Sequence, residues 1–117
     1  MQLYGLTKCS TCQKAIAWLK DKGVDHTFVD YRDKPLAPED LCTYAQALGG
    51  WEKLVNRASM TWRQLSEQQR QASTDQQWLA LIAHYPALVR RPLTVFSDGS
   101  VLTGFNEKRF LDKLDLA

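Results

Sequence analysis

The sequence of 117 residues predicts an α/β fold: a mixed four-stranded sheet covered by helices, with a helical insertion. Two patterns lead to this expectation. The first quarter of the chain follows the order strand, helix, strand, which is typical of two parallel strands joined by a helix. Near the end of the chain, two short apolar segments flank a glycine-containing turn, which is typical of an antiparallel hairpin. With 44% hydrophobic residues, a chain of this length can bury the core of one domain, which we assign to residues 1–117.

The first strand, first helix and second strand are indicated by short apolar segments and their boundaries. Residues 2–6 are apolar enough for a buried strand, and residues 26–31 carry the aromatic and branched side chains of another. Between them, a helix begins at Ser10 and meets a stop signal at Gly23. Its predicted buried face consists of Cys12, Ala15, Ile16 and Leu19.

The middle of the chain is predicted to be helical. The helices expected there cover residues 38–48, 51–55, 61–65 and 75–85. The first of them starts with Pro38 and is closed by Gly49-Gly50, and the last is capped by Thr74.

A hairpin and a last helix complete the predicted fold. Strands at residues 93–96 and 101–103 flank the turn Ser97-Asp98-Gly99-Ser100, and Asn106 caps a helix to Leu114. The full order of elements is that of a thioredoxin-like domain with a helical insertion.

The charge and hydropathy of the chain exclude several classes of protein. The 15 Lys and Arg nearly balance the 13 Asp and Glu, so the net charge of +2 does not predict a surface that binds nucleic acids or membranes. No apolar run approaches the roughly 18 residues of a transmembrane helix, and the first residues lack the pattern of a signal peptide. We therefore expect a cytoplasmic monomer that contacts neither membranes nor nucleic acids directly. Thiols are kept reduced in that compartment, so the cysteines do not predict a disulfide framework.

Cys9 and Cys12 form a Cys-x-x-Cys motif at the predicted start of the first helix. A helix N-terminus stabilises a thiolate through its unpaired amides and the positive end of its dipole, and Lys8 adds positive charge. Cys12 lies on the first helical turn and on the apolar face, within reach of a disulfide bond to Cys9. We therefore predict that Cys9 is the exposed nucleophile and that Cys12 is the more buried, resolving thiol.

Two other interpretations of the cysteine pair stay open. The pair could supply half of a zinc site, but such a site needs about four ligands. The remaining candidates, Cys42, His26 and His84, include no second paired motif, so we expect no metal. The pair could also consist of small core residues without chemistry. Cys42, in the middle of a predicted helix, is interpreted as a packing residue.

Arg90-Arg91-Pro92 connects the helical insertion to the strand at residues 93–96. A proline is tolerated at the start of a strand, and the peptide bond before it can be cis. An arginine beside such a bend offers a rigid set of donors to an oxyanion or to a thiolate. Taken singly, each arginine is more typical of a solvated surface group.

Motifs across nearly the whole chain resemble the glutaredoxin-linked arsenate reductase family. They are Cys9-x-x-Cys12, Trp51, Asn56-Arg57, Thr61-Trp62-Arg63-Gln64-Leu65, Tyr85-Pro86-x-Leu88-Val89-Arg90-Arg91-Pro92 and Leu102-x-Gly104-Phe105. Among the branches of this family, the chain is most similar in length and motifs to the YffB-type thiol reductases. The Spx transcriptional regulators, which bind RNA polymerase, share the Cys-x-x-Cys and Arg-Arg-Pro motifs.

The resemblance implies a thioredoxin-like fold with an inserted helical region, and it implies a cis bond at Pro92. The implied function is a thiol-dependent oxidoreductase that attacks a disulfide or an oxidised small substrate. Glutathione or another small thiol is the expected co-substrate, with glutaredoxin as a further partner and no tightly bound cofactor. The expected catalytic residues are Cys9, Cys12 and Arg91, and the expected substrate-binding residues are Lys8, Ser10, Thr11, Arg57 and Pro92.

The chain also departs from the family pattern at two places. Arsenate reductases of this family use three arginines around the cysteine, whereas this chain retains Arg57 and Arg91 and has Gly104 in the third place. The YffB group usually has one cysteine at the site, so Cys12 opens a route through an intramolecular disulfide. Two alternatives to the thiol reductase therefore remain: an arsenate reductase that uses glutathione and glutaredoxin, and an Spx-like redox-sensing regulator that binds RNA polymerase.

Overall fold

The computed structural model describes residues 1–114 and confirms the predicted α/β fold. The elements are β1 (Gln2–Gly5), α1 (Ser10–Asp21), β2 (Thr27–Asp30), α2 (Pro38–Leu48), α3 (Trp51–Leu54), α4 (Met60–Arg63), α5 (Asp75–His84), β3 (Leu93–Val95), β4 (Val101–Thr103) and α6 (Glu107–Leu114). Single 3-10 turns lie at Gln69–Gln71 and Pro86–Leu88. The chain divides into two compact units, of which the second is Tyr31–Arg90 and the first is formed by the residues before and after it.

The first unit contains a mixed four-stranded sheet with the strand order β2-β1-β3-β4. β1 pairs in parallel with β2 and antiparallel with β3, and β3 pairs antiparallel with β4. Leu3 lies opposite Phe28 on one side and Thr94 on the other. This arrangement is the predicted combination of a parallel pair joined by a helix and an antiparallel hairpin.

The core of the first unit lies between the sheet and the helices α1 and α6. Its central cluster consists of Leu3, Ala15, Leu19, Phe96 and Phe110. The predicted face of α1 is confirmed at Cys12, Ala15 and Leu19, which are buried, while Ile16 is half-buried. Gly23 follows α1 with a φ of 68°, a left-handed conformation that favours glycine and ends the helix.

Side-chain hydrogen bonds define the turn between β3 and β4 and the start of α6. The carboxylate of Asp98 accepts hydrogen bonds from the Ser100 amide at 2.9 Å and from the Ser100 hydroxyl at 2.6 Å. The Asn106 side chain accepts a hydrogen bond from the Arg109 amide at 3.0 Å, which confirms the predicted cap of α6. β3 ends one residue earlier than predicted because Phe96 is the first residue of the turn, where its carbonyl accepts a hydrogen bond from the Gly99 amide at 2.9 Å.

The second unit is built from α2 to α5. α2 ends at Gly49, whose φ is 99°, and α5 begins with a capping box in which Thr74 and Gln77 bond each other's backbone. The predicted short helices are shorter than expected, and α5 ends at His84, two residues before Pro86.

Tyr31 is one of the residues at which a predicted strand boundary is wrong; Leu6 and His26 also lie outside their strands. We expected Tyr31 at the end of the second strand, whereas it lies beyond β2 and is buried in the second unit. Its hydroxyl donates a hydrogen bond to the Val89 carbonyl at 3.1 Å. An aromatic residue favours strands by local propensity, but this contact with a residue 58 positions away decides its place.

Among the helices in residues 1–114, we find none with the length and apolar character needed to cross a membrane.

Candidate functional site

The candidate site lies where α1 begins, and Cys9 is the residue that caps this helix. Its backbone is extended, with a φ of −77° and a ψ of 123°. The Cys9 amide donates to the Leu6 carbonyl at 3.1 Å, and the Cys9 carbonyl accepts from the Gln13 amide at 3.0 Å. The half-buried thiol therefore stands beside the unpaired amides of the first helical turn, as predicted.

Hydrogen bonds shift the ionisation of Cys9 toward the thiolate. Burial raises its pKa, but hydrogen bonds with the Cys12 amide, the Arg91 side chain, the Cys12 thiol and the Thr11 amide lower it. The net direction is below the ordinary pKa of 9.0. Since the thiolate is the nucleophilic form of cysteine, a larger share of Cys9 is ready to react at neutral pH.

Cys12 has the opposite character. It is fully buried, which confirms that it is the less accessible of the two cysteines. Burial raises its pKa to about 11; a hydrogen bond with the Leu6 backbone opposes this, and the hydrogen bond and charge of Cys9 add to it. The pKa values of the two neighbouring thiols are therefore shifted in opposite directions, so that the half-buried Cys9 favours the thiolate and the fully buried Cys12 favours the neutral thiol.

Arg91 reaches Cys9 from the start of β3. The Arg91–Pro92 peptide bond is cis, in agreement with the expectation from the family resemblance. Pro92 is fully buried, and its carbonyl accepts a hydrogen bond from the Gly104 amide at 2.9 Å. The backbone that carries Arg91 is thus tied to the residue that follows β4.

The loop between β1 and α1 is fixed at Thr7. The Asp30 carboxylate accepts a hydrogen bond from the Thr7 amide at 2.9 Å and another from its hydroxyl at 2.7 Å. The Gln13 side chain donates to the Thr7 carbonyl at 3.1 Å. The strand β2 and the helix α1 therefore hold the same loop residue.

The structure brings part of the predicted site together. Cys9, Cys12, Thr11 and Arg91 interact, and Lys8 and Ser10 are exposed on either side of Cys9. Arg57 belongs to the second unit, where its guanidinium lies 5.7 Å from the centre of the Trp62 ring. Its predicted role in substrate binding stays a prediction.

Arg57 stands at one end of a stack of three tryptophans. The rings of Trp62 and Trp78 are 5.9 Å apart with an angle of 15°, and those of Trp78 and Trp51 are 6.4 Å apart with an angle of 11°. The Trp51 indole nitrogen donates to Asp75 at 2.8 Å. In the sequence, Trp51 and Trp62 stand in the family motifs and Trp78 lies on the predicted apolar face of its helix, but no local pattern indicates the stack.

Gly5 and Asp30 are two further residues of the site that were not predicted from the sequence. A Cβ atom placed on Gly5 would lie 2.5 Å from the sulfur of Cys12, so the thiol occupies the space of a side chain at position 5. A glycine inside a strand is a known sign of such a close approach. No local sequence pattern indicates the contact of Asp30, because its partner Thr7 lies 23 residues earlier in the chain.

Within residues 1–114, no group of three or more His, Cys, Asp and Glu side chains is arranged to hold a metal ion. Cys9, Cys12 and Cys42 are free thiols, and Cys42 is half-buried on α2.

Comparison with known proteins assigns these residues to a family. The model of the ArsC family matches residues 4–112, which include the whole Cys-x-x-Cys motif and the Arg-Arg-Pro motif. The chain belongs to the ArsC family. The resemblance inferred from the motifs is thereby confirmed.

Relatives of this ArsC-family chain include proteins with and without an assigned role. An uncharacterised protein of Haemophilus influenzae is 40% identical over 92% of this chain and 93% of its own length. The global transcriptional regulator Spx of Lactiplantibacillus plantarum is 29% identical over 95% of this chain and 86% of its own length. The family therefore contains regulators.

Solved structures of the family share the fold. A protein named YFFB is 30% identical, with a TM-score of 0.84, over 95% of this chain and 96% of its own. An arsenate reductase (ArsC) related protein from Brucella melitensis is 34% identical, with a TM-score of 0.73, over 98% of this chain and 94% of its own. The predicted thioredoxin-like fold, as found in the ArsC-type structures, is confirmed.

Proposed function

We propose that this ArsC-family protein is a thiol-dependent oxidoreductase, with Cys9 as the nucleophile, Cys12 as the resolving thiol and glutathione as the electron donor. The placement of Cys9 at the start of α1, beside Arg91 and the buried thiol of Cys12, carries the proposal, and the directions of the pKa shifts agree with it. The pKa of Cys9 is lowered and the pKa of Cys12 is raised to about 11. Of this pair, Cys9 more readily forms the thiolate that attacks near neutral pH. Cys12 stays a neutral thiol until it resolves the mixed disulfide.

In the first step, the Cys9 thiolate attacks one sulfur of a substrate disulfide. A Cys9–substrate disulfide forms, the substrate S–S bond breaks, and the other half leaves as a thiolate that takes a proton from water. Before the attack, Arg91 and the amides of Thr11 and Cys12 stabilise the negative charge on Cys9. Lys8 and Ser10 are exposed beside it, in the place where a substrate would lie.

In the second step, Cys12 gives up its proton and attacks the Cys9 sulfur. A Cys9–Cys12 disulfide forms, and the bound half of the substrate leaves as a thiolate. Once Cys9 is part of a mixed disulfide, it no longer carries the charge that helps to raise the pKa of Cys12. Burial still opposes ionisation, so we expect this step to be slower than the first.

Two glutathione molecules then return the enzyme to its starting state. The first attacks the Cys9–Cys12 disulfide and forms a mixed disulfide, and the second releases it as glutathione disulfide. Glutaredoxin could supply the same two electrons. We propose that Pro92, which is fully buried, supports Arg91 in these steps without contacting the substrate.

Arsenate reduction is an alternative reaction for the same nucleophile. It is favoured by the similarity to an arsenate reductase related protein, which is 34% identical to this chain. It would require an arsenate adduct on Cys9 that is bound by Arg91, with Arg57 as the second arginine. Gly104 stands in place of the third arginine, which weakens this alternative.

A redox-sensing regulator is a candidate from another class, favoured by the similarity to an Spx regulator over 95% of this chain. The Cys9–Cys12 disulfide would then alter a surface that binds RNA polymerase, and no substrate would be turned over. Capture of purified polymerase under oxidising but not reducing conditions would support this candidate.

Turnover assays test the proposal directly. Glutathione-dependent reduction of a small disulfide and reduction of arsenate are measured side by side for the wild-type protein, Cys9→Ser and Cys42→Ser. We expect disulfide reduction by the wild-type protein and by Cys42→Ser, which controls for the loss of a half-buried thiol. Cys9→Ser should fall to the background rate. Full turnover by Cys9→Ser would contradict the proposal.

A further inference from the structure

We propose that Asp30 is a positioning residue for Cys9, which it holds in place through Thr7 and the loop before α1. The inference rests on the proposed function, because it assigns a role in placing the nucleophile of that reaction. Asp30 is the last residue of β2 and pairs in register with Gly5 on β1. It thus stands on the neighbouring strand, opposite the point where β1 gives way to the loop.

Two hydrogen bonds join the Asp30 carboxylate to Thr7, one from the amide at 2.9 Å and one from the hydroxyl at 2.7 Å. Both donors bind the same oxygen, Oδ2. Hydrogen bonds to an ionised acceptor are roughly twice as strong as neutral ones. Thr7 is exposed, so hydrogen bonds rather than packing hold it in place.

The constraint passes from Thr7 to Cys9 over two residues. The Thr7 carbonyl accepts from the Gln13 side chain at 3.1 Å, and the Gln13 amide donates to the Cys9 carbonyl at 3.0 Å. The Cys9 amide donates to the Leu6 carbonyl, which closes the loop on its other side. Through these contacts, Asp30 determines where Cys9 lies relative to the amides of the first helical turn.

The direction in which the reactivity of Cys9 changes when Asp30 is replaced distinguishes a positioning role from a purely electrostatic one. A carboxylate near a thiol disfavours the thiolate, so loss of the charge alone would make Cys9 more reactive. Loss of positioning has the opposite result, because Cys9 then makes poorer hydrogen bonds with the Thr11 and Cys12 amides that favour its thiolate. Asp30→Ala, which removes the whole carboxyl group, should therefore speed the alkylation of Cys9 if only charge matters and slow it if positioning matters.

The experiment measures the iodoacetamide alkylation rate of Cys9 against pH, with each cysteine followed by mass spectrometry. For Asp30→Ala we expect alkylation at pH 7 to slow by about three- to tenfold and the midpoint of the profile to move to higher pH. Asp30→Asn retains an oxygen acceptor without the charge, so its rate should lie between Asp30→Ala and the wild-type protein. Thr7→Val, which keeps the amide and loses the hydroxyl, should slow alkylation less than Asp30→Ala.

Asp25→Ala serves as the matched control, because it removes an exposed carboxylate from the loop before β2. Faster alkylation in both Asp30→Ala and Asp30→Asn would overturn the proposal and show that only charge matters. An unchanged profile in Asp30→Ala would overturn it as well. If the proposed function is wrong, the midpoint of the Cys9 alkylation profile in the wild-type protein would instead lie at or above that of an ordinary cysteine. The comparison between variants holds whatever that midpoint is, since every thiol has an alkylation profile.

Discussion

The sulfur of Cys12 lies against the backbone of Gly5, where a Cβ atom would come within 2.5 Å of it. The buried thiol therefore depends on a strand residue without a side chain. We expect Gly5→Ala to lower the free energy of unfolding by about 1–3 kcal/mol, because the added methyl overpacks a closed site. Thermal or urea unfolding measures the loss.

A double-mutant cycle assigns this cost to the thiol. With Cys12→Ala the clashing sulfur is gone, and the nearest remaining atoms are Phe28 Cε1 at 3.4 Å and the Cβ of residue 12 at 3.7 Å. Gly5→Ala should then cost about 1 kcal/mol less in the Cys12→Ala background than in the wild-type protein. Equal costs in both backgrounds would show that another contact is responsible.

Arg91→Ala should raise the pKa of Cys9, because the Arg91 side chain is one of the hydrogen-bond partners that lower it. Alkylation of Cys9 at pH 7 should slow by about three- to tenfold. At a pH above the midpoints of both proteins, the two rates should converge, since Cys9 is then a thiolate in each. Arg91→Lys keeps the charge without the planar guanidinium and should recover part of the rate. Identical alkylation profiles for Arg91→Ala and the wild-type protein would show that Arg91 does not stabilise the Cys9 thiolate.

Cys12→Ser should leave the first attack by Cys9 intact and trap a mixed disulfide. The hydroxyl cannot resolve the intermediate, so intact-mass analysis after exposure to glutathione disulfide should show one persistent glutathione adduct on Cys9. The wild-type protein should instead lose about two hydrogens in the peptide that contains Cys9 and Cys12. A lasting adduct on the wild-type protein, without the internal disulfide, would show that Cys12 is a packing residue.

The high pKa of Cys12 adds a pH dependence to this prediction. In the mixed disulfide the charge of Cys9 is gone, but burial, the largest cause of the raised pKa of Cys12, remains, so the fraction of Cys12 thiolate rises steadily as the pH increases from 7 to 9. Resolution of the mixed disulfide should therefore accelerate with pH over this range in the wild-type protein. Samples quenched at successive times and several pH values measure this rate by intact mass. A rate that is independent of pH would contradict resolution by Cys12.

Gly104→Arg tests whether the missing third arginine can be restored. The φ of Gly104 is 75°, a conformation that side chains adopt at a cost of about 1–2 kcal/mol. No atom lies within 4 Å of a Cβ placed there, so this strain is the main cost. Gly104→Ala is the matched control, and both variants should lose about the same stability. We expect no gain of arsenate reduction, and a clear gain in Gly104→Arg would favour the arsenate reductase alternative.

We propose that the two units unfold together as one domain. Trp18 is in the first unit, whereas Trp51, Trp62 and Trp78 are in the second. In Trp18→Phe, tryptophan fluorescence therefore reports the second unit alone, while far-ultraviolet circular dichroism reports both. We expect the two urea unfolding curves of this variant to coincide. Separate midpoints would show that the chain consists of two domains.

Local patterns in the sequence were sufficient to predict the elements of the fold. The burial of Cys12 and Leu19 follows from the spacing of one helical face, and the start of α6 follows from the capping side chain of Asn106. These features depend on residues that are within about one or two helical turns of each other. The Cys9 position at the start of α1 could be predicted for the same reason.

Contacts between distant residues explain what the sequence analysis missed. The bond of Asp30 to Thr7 and that of Tyr31 to Val89 join residues 23 and 58 positions apart, and no local pattern marks either pair. The tryptophan stack likewise requires three helices to meet. In the site, sequence reasoning could therefore name Cys9, Cys12 and Arg91 as candidates, but not Gly5, which lies against the buried thiol, or Asp30, which bonds the loop before α1.

The strand order of the sheet leaves β2 and β4 at its two edges. A long exposed edge offers its free amides and carbonyls to other chains and so promotes aggregation. Here the edge strands are only four and three residues long, and β2 ends at the carboxylate of Asp30. Edge strands this short are one of the devices by which proteins limit backbone pairing with other chains, and here both edges of the sheet that positions Cys9 and Arg91 have it.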